Sequence, residues 1–157
     1  VFANKMIKLK TKEEIEIMKE GGVRLKKVVK ELLPIIKVGI STKEIDKEAE
    51  RLIKKYNGEP SFKKVNNYQW ATCLSINEQV VHTPPSERIL RFGDLLTLDI
   101  GMYYRGFHTD YAYSLVVGTN KNKELNHFLK VGRKALSFAI KEAKVGNRLG
   151  AISQAIE

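Results

Sequence analysis

Residues 92–118 constrain the fold of this chain more than any other segment. A run rich in Leu, Ile and Tyr is followed by Tyr-Arg-Gly and then by a second run of Tyr, Ser, Leu and Val. Such a pattern is typical of two antiparallel strands joined by a tight turn. The sequence therefore predicts a β-hairpin here, against which the other segments must pack.

Each predicted strand of this hairpin contains one acidic residue. Because side chains alternate between the two faces of a strand, Asp99 shares its face with Thr97 and Gly101. The opposite face receives the apolar residues Leu96, Leu98, Ile100 and Met102. An acid is thus placed in the middle of a strand whose other face is suited to burial.

The second acid, Asp110, lies on the other strand among small uncharged residues. If a two-residue turn is centred on Tyr104 and Arg105, Asp99 and Asp110 lie directly opposite each other, with Cβ atoms roughly 4.5–5.5 Å apart. If the turn is centred one residue later, they become diagonal neighbours on the same face. Both registers bring the two carboxylates together.

Two carboxylates that meet in a partly buried place must share a proton, pair with a cation or bind a metal ion. Within the hairpin the one Lys or Arg is Arg105, which the turn places at the far end. We therefore favour a metal ion. The alternative is an exposed hairpin whose acids face water, as in half-solvated antiparallel sheets.

The length and composition indicate one globular domain. The chain has 157 residues, of which 43% are hydrophobic and 29% charged. No apolar run approaches the roughly 20 residues that cross a bilayer, and the N-terminus lacks the apolar stretch of a secretory signal. We expect a cytoplasmic protein without a membrane partner. Its single cysteine, Cys73, excludes an intrachain disulfide and a multi-cysteine zinc site.

The formal net charge of +10 makes a polyanion, such as RNA or the ribosome surface, a candidate partner. More than half of the basic residues precede Val65, where Lys and Glu alternate along predicted helices. This pattern is usually a solvated face. No basic motif with interleaved aromatic residues or zinc-finger spacing occurs, so we expect no specific DNA partner.

Capping boxes predict the starts of two N-terminal helices. Thr11 with Glu14 begins a helix that continues towards residue 36, with Pro34 disturbing its last turn. Ser41 with Glu44 begins a second helix, which ends at residues 57–58. Residues 61–68 lack periodicity and are predicted as a loop, whereas residues 71–76 alternate like a strand.

A third helix is predicted over residues 122–144 and a fourth from Leu149, separated by a Lys-Val-Gly sequence that also occurs at residues 37–39. The order helix, Lys-Val-Gly, helix thus occurs twice. This indicates an internal repeat, and the alternative is that the second Lys-Val-Gly is a coincidence. The chain has the pattern of one αα-β unit followed by the start of another. We therefore expect the front part of a longer protein.

Three motifs connect the chain to a known family: LSINEQVVH at residues 74–82, GDLLTLD at residues 93–99 and GFHTD at residues 106–110. Together with TKEEI at residues 11–15, they resemble the type I methionine aminopeptidases of the pita-bread metallopeptidase family. The resemblance implies an α+β fold with an antiparallel sheet. In it, residues 1–118 would form the first αβ half and residues 119–157 the truncated start of the second, within one incomplete catalytic domain.

The resemblance implies an exopeptidase that removes the initiator methionine from nascent peptides by hydrolysis with a metal-activated water. Two divalent ions, of Mn, Fe, Co or Zn, would be bound, with Asp99 holding one and Asp110 bridging both. The family's other ligands, one His and two Glu, belong to its second half. We therefore expect weak metal binding and little or no activity from this chain alone.

The resemblance also assigns residues to the substrate. His82 would contact the scissile carbonyl, and Cys73, Tyr68 and Phe62 would line the methionine pocket. Asn77 lies in a loop that holds a monovalent cation in relatives. Thr83 follows His82 where the family usually has Gly, which places a β-branched residue beside the substrate.

One nearby residue is predicted to have no functional role. From the strand pattern we expect His108 to be structural, on the strand face opposite Asp110.

Two other functions are compatible with these motifs. A proline-specific peptidase of the same fold is disfavoured, because such chains usually carry a whole domain before the catalytic half. A non-catalytic module of the same fold could instead bind RNA or the ribosome through its basic helices, with affinity that falls as salt rises.

Overall fold

A computed structural model describes residues 8–118 and 122–157 of the chain. The helices are α1 (Lys12–Leu32), α2 (Thr42–Lys55), α3 (Lys123–Glu142) and α4 (Leu149–Ile156). The strands are β1 (Glu59–Pro60), β2 (Thr72–Ile76), β3 (Leu95–Tyr104) and β4 (Phe107–Val116). Short 3-10 turns occur at Leu33–Ile35 and Phe62–Lys64.

The predicted hairpin is formed by β3 and β4, which pair antiparallel along their whole length. Its two-residue turn is Arg105-Gly106, and both residues have positive φ, 46° and 93°. Such a turn twists in the same sense as the strands and is therefore favoured in hairpins. This is the later of the two predicted turn positions.

The register places Asp99 opposite Ala112, and Asp110 opposite Gly101. The two acids are therefore diagonal neighbours on one face of the sheet, as the later turn position predicts. Direct opposition of the two acids does not occur. Compared with direct opposition, the partner of each acid is shifted by two residues along the other strand. An even shift keeps both acids on the same face of the sheet.

The other face of β3 packs on the helices α1 and α2. Its side chains at positions 96, 98, 100 and 102 are 0% exposed. They join a core cluster that includes Leu32, Ile45, Leu52 and Ile53 from the helices. Full burial of each such side chain contributes roughly 1.5–3 kcal/mol, so this layer holds the sheet in place.

β3 is the central strand of the four-stranded antiparallel sheet. One edge of β3 pairs with β1 near the turn and with β2 further along, and the other edge pairs with β4. The strand β1 was not predicted, because two residues give no periodic signal. The face away from α1 and α2 carries the acids, so the sheet separates core from candidate site.

Both predicted capping boxes are present. The Thr11 hydroxyl accepts from the Glu14 backbone N–H, and the Glu14 carboxylate accepts from the Thr11 N–H at 2.8 Å. Ser41 and Glu44 repeat this pair of bonds. The first helix is shorter than predicted, because the chain tightens into a 3-10 turn at Pro34, which has no N–H to continue the α-helix.

The third and fourth helices occur within two residues of their predicted starts. Much of the apolar side of α3 is exposed: Phe128 is 63% and Leu136 61% accessible, whereas Ala139 is buried. Within the described ranges, none of the helices combines the length and the apolar character that a membrane span requires.

Candidate metal and substrate site

The Asp99 and Asp110 carboxylates lie close enough to interact, through their charges and through a side-chain hydrogen bond. Asp99 is half-buried and Asp110 is exposed. Burial, followed by the negative charge of Asp110, raises the pKa of Asp99 to about 6, and the nearby His82 acts in the opposite direction. At neutral pH the pair is therefore a concentrated negative charge that a cation would relieve.

The donor chemistry of this pair fits a divalent metal ion, since carboxylate oxygens suit Mn, Fe, Co and Zn among others. However, no group of three or more His, Cys, Asp or Glu side chains that could hold a metal ion is found in residues 8–118 and 122–157. The two carboxylates are thus compatible with part of a metal site.

A cavity of about 480 Å³ opens over the pair. It is lined by Phe62, Val65, Tyr68, Cys73, His82, Pro84, Asp99 and Asp110. All the candidate site residues from the sequence except Asn77 therefore lie around one space. Val65 and Pro84 were missed. Neither a Val in a predicted loop nor a Pro two residues after His82 gives a sequence signal for a pocket.

One wall of the cavity is formed by Tyr68 and Cys73. The Tyr68 hydroxyl donates to the Thr72 carbonyl at 2.8 Å and lies 3.1 Å from the Cys73 sulfur. Burial raises the pKa of both groups, so both are uncharged at neutral pH. With the edge of Tyr68 against Phe62, at 6.4 Å between ring centroids, the wall is mainly apolar.

His82 also lines the cavity, in a segment that is anchored by the next residue. Its φ of 54° is unusual for a residue with a side chain and is held by the surrounding bonds. The Leu74 N–H donates to the Thr83 carbonyl at 2.9 Å, and the Ser75 hydroxyl donates to the Thr83 hydroxyl at 3.1 Å. Thr83 thus ties the His82 segment to β2.

The predicted strand face of His108 is wrong, whereas its structural role stays a prediction. The residue lies on the same face as Asp110, because residues two apart on a strand share a face. It pairs opposite Tyr103, and its ring centroid is 4.8 Å from that of Tyr103. Its Nδ1 and the Ser61 hydroxyl are hydrogen bonded at 2.6 Å.

Asn77 lies away from the cavity, in the turn after β2. It is exposed, with a φ of 55°. Its side chain accepts from the Leu95 N–H at 2.8 Å and donates to the Asp94 carboxylate at 2.9 Å. The side chain therefore joins the end of β2 to the start of β3.

Sequence reasoning missed the buried acid Asp46, which holds the backbone next to the cavity-lining residue Cys73. One carboxylate oxygen of Asp46 accepts from the N–H groups of Ala71 and Thr72, at 2.9 and 2.8 Å, and from the Thr72 hydroxyl at 2.7 Å. Burial raises the pKa of Asp46, and these bonds oppose that rise. On an amphipathic helix an Asp gives no sign of such a role.

The chain is similar to a known metallopeptidase family and to several methionine aminopeptidases. The model of metallopeptidase family M24 matches residues 16–157. Methionine aminopeptidase 1 of Bacillus subtilis (strain 168) is 43% identical over 152 residues, covering 97% of this chain and 61% of that protein. A methionine aminopeptidase of Mycoplasma capricolum is 37% identical over the same shares.

Solved structures agree. The methionine aminopeptidase of Thermotoga maritima superimposes with a TM-score of 0.90 at 34% identity, covering 96% of this chain and 61% of that one. The prolidase of Pyrococcus furiosus gives 0.84 at 24% identity and 42% of its chain, a likeness of fold alone. The chain spans about three fifths of the length of the methionine aminopeptidases it matches. The α+β fold is that of the first pita-bread half.

Proposed function

The chain belongs to metallopeptidase family M24, and on that premise we propose that it forms the first half of a methionine aminopeptidase site. The observation that carries the proposal is the convergence of the Asp99–Asp110 pair and His82 on one cavity with an apolar wall. A peptidase of this kind needs charge to hold metal beside a pocket for one side chain. Both are present on the same face of the sheet.

We assign the two acids to metal binding: the carboxylates of Asp99 and Asp110 would hold divalent ions. When bound, such ions would polarise the scissile carbonyl and acidify a water. Membership of the family implies metal ions. We propose that these ions are Mn, Fe, Co or Zn. Further ligands would come from sequence that corresponds to the remaining two fifths of the relatives.

We assign the cavity wall to the first side chain of the peptide. Phe62, Tyr68 and Cys73 present two rings and a thiol, uncharged groups that suit a flexible thioether. His82 would hold the scissile carbonyl through an imidazole N–H. Asn77 would contribute to a monovalent cation site through its turn. The substrate is then the N-terminus of a nascent peptide, met in the cytoplasm.

We further propose that residues 1–118 form the first αβ half and residues 119–157 the start of the second, with residues 1–7 and 119–121 lying outside the described residues. Two carboxylates cannot replace a full set of ligands, so the 157-residue chain alone would bind metal weakly and hydrolyse little. Titration calorimetry with Mn²⁺ or Co²⁺ tests the binding, with Asp99→Asn and Asp110→Asn as variants that should lose it.

The activity is tested by fusing this chain to the C-terminal part of the Bacillus subtilis relative that lies beyond the matched segment. With Co²⁺, the fusion should release free methionine from Met-Ala-Ser and much less product from Leu-Ala-Ser. The matched Asp99→Asn fusion should be inactive. A folded fusion that binds Co²⁺ but releases no methionine would contradict the proposal.

A proline-specific peptidase is the weaker assignment. The methionine aminopeptidase of Bacillus subtilis is 43% identical, whereas the prolidase likeness extends to fold alone. Hydrolysis of Ala-Pro by the same fusion, without release of methionine, would reverse this choice.

A second candidate is a binding module for RNA or the ribosome, favoured by the net charge of +10. Most acidic side chains of the helices α1 and α2 are already in ion pairs with Lys or Arg. RNA binding that weakens steeply as salt rises, by a chain that holds no metal, would support this function.

A further inference from the structure

The segment that carries Phe62 is attached to both strands of the hairpin. We call residues 61–68 the pocket wall. The Ser61 N–H donates to the Gly101 carbonyl of β3 at 3.0 Å. The Ser61 hydroxyl is hydrogen bonded to Nδ1 of His108 on β4 at 2.6 Å. One residue thus joins the pocket wall to the two strands that supply Asp99 and Asp110.

The fit between the pocket wall and β3 depends on a missing side chain. A Cβ at Gly101 would lie 2.7 Å from the Cβ of Ser61 and 2.9 Å from Cε1 of Phe62. Real Cβ atoms do not approach that closely, so only Gly lets the wall rest on the strand backbone. The contact lies between Asp99 and Tyr103 on the site face.

His108 is itself held in place. Its ring packs on Tyr103, and the Lys64 ammonium lies 4.2 Å from the centroid of the same Tyr103 ring. Ser61 is buried, whereas His108 is exposed. Neither Ser61 nor His108 lines the cavity, whereas Phe62, the neighbour of Ser61, does.

We propose that the Ser61–His108 hydrogen bond is a positioning contact that holds the pocket wall over the Asp99–Asp110 pair and so sets the width of the cavity. The two residues act through Phe62 and Tyr68. Only the consequence for the substrate, a restriction on the first side chain that fits, rests on the proposed function. The positioning itself does not depend on metal or peptide.

The test uses Cys73, which is 5% exposed and lines the cavity with its sulfur 3.1 Å from the Tyr68 hydroxyl. A thiol reagent such as iodoacetamide reaches this nearly buried sulfur through the cavity, so its rate should rise when the pocket wall moves away. In the 157-residue chain without metal, Ser61→Ala should raise the alkylation rate at pH 8 about fivefold, as expected for loss of one neutral hydrogen bond. The urea unfolding midpoint, measured in parallel, separates local opening from global unfolding.

Two variants of His108 separate the hydrogen bond from the ring contact. His108→Phe keeps a ring on Tyr103 but loses the bond, and should match Ser61→Ala. His108→Asn places an amide atom near the position of Nδ1 and should stay close to the wild-type rate. The double variant Ser61→Ala with His108→Phe should exceed neither single variant by more than about twofold, because both remove the same contact.

The matched control is Glu59→Gln, which removes the exposed Lys64–Glu59 ion pair of 2.8 Å at the same segment. It should leave the Cys73 rate unchanged. The proposal is overturned if Ser61→Ala and His108→Phe react within twofold of wild type, or if their faster reaction is fully matched by lower global stability.

Protection of Cys73 by free L-methionine distinguishes failure of this inference from failure of the proposed function. Methionine at millimolar concentration should slow alkylation of the wild type and protect Ser61→Ala less. Absence of protection in the wild type counts against the methionine pocket, while the variant rates still decide the positioning contact. Equal protection of wild type and Ser61→Ala overturns the link between the contact and the pocket.

Discussion

The Ser75 hydroxyl donates a hydrogen bond of 3.1 Å to the Thr83 hydroxyl, one residue after the histidine that shares the cavity with the acid pair. The β-branched side chain of Thr83 is therefore directed to β2. This accounts for a residue with a side chain at a position where the resembling family usually has Gly. The Thr83 side chain thus adds to the backbone bond from the Leu74 N–H in fixing the end of the His82 segment.

Replacing Thr83 by Gly should destabilise the protein by about 1–2 kcal/mol. The variant loses one hydrogen bond and gains conformational freedom in the unfolded chain. Thr83→Ser, which keeps the hydroxyl, should lose less than half as much. Urea unfolding followed by circular dichroism measures both, and a Thr83→Gly protein as stable as the wild type would refute the anchoring role.

The acid pair predicts how stability depends on pH in the absence of metal. The pKa of Asp99 is about 6 in the folded protein, above the value near 3.9 of an unfolded Asp. The folded state thus binds this proton more tightly, so the contribution to stability is present below about pH 4 and is lost as pH rises through 6. For a half-buried carboxylate we expect about 1 kcal/mol after solvent screening.

Asp110→Asn removes the like charge and should lower the pKa of Asp99 while leaving the effect of burial. A carbon-13 NMR titration of the side-chain carboxyl reports this pKa directly. The stability difference between pH 4 and pH 7 should shrink in the same variant. An Asp99 that titrates identically in both proteins would show that the two carboxylates do not interact.

Asp46→Ala should cost about 2–4 kcal/mol of folding free energy. It leaves the buried N–H groups of Ala71 and Thr72 without an acceptor, and each unsatisfied group costs about 1–3 kcal/mol. Asp46→Asn keeps one acceptor oxygen and should cost less. Differential scanning calorimetry gives the comparison, and equal losses in the two variants would contradict this explanation.

Two glycines should respond to alanine in opposite directions. Gly101→Ala forces its Cβ against Ser61 and Phe62 and should destabilise the protein by about 1–3 kcal/mol. Gly132→Ala, inside α3, where the added Cβ would meet no described heavy atom within 4 Å apart from the adjacent backbone of its own helix, should stabilise by about 0.5–1 kcal/mol. Urea midpoints measure both changes. A neutral Gly101→Ala would mean that the pocket wall moves aside without cost.

Much of this fold could be predicted because local signals agreed with each other. The alternation of Leu96, Leu98 and Ile100 placed one face of β3 in the core, and the capping boxes located both N-terminal helices. The acids followed from the same alternation. The turn position could not be chosen, because Tyr-Arg-Gly allows two registers and only the paired strands decide between them.

The remainder of the site depended on contacts distant in sequence. Ser61 meets His108 across 47 positions, and Asp46 meets Thr72 across 26. No periodicity encodes such pairs. Gly101, isolated within a strand, was the one available signal, because a Gly there indicates close approach of another backbone. Applying that rule would have placed a segment over β3 beside Asp99.

The central strand β3 turns its even-numbered side chains towards the helices and its odd-numbered ones to the opposite face, where Asp99 lines the cavity. The core residues of β3 and the site residue Asp99 thereby occupy alternate positions of one ten-residue strand. Asp99 can be exchanged for Asn while every hydrophobic anchor of the strand is kept. Well-folded versions that lack the Asp99 carboxylate should therefore be simple to prepare, which makes this strand a practical recipient for redesigned metal ligands.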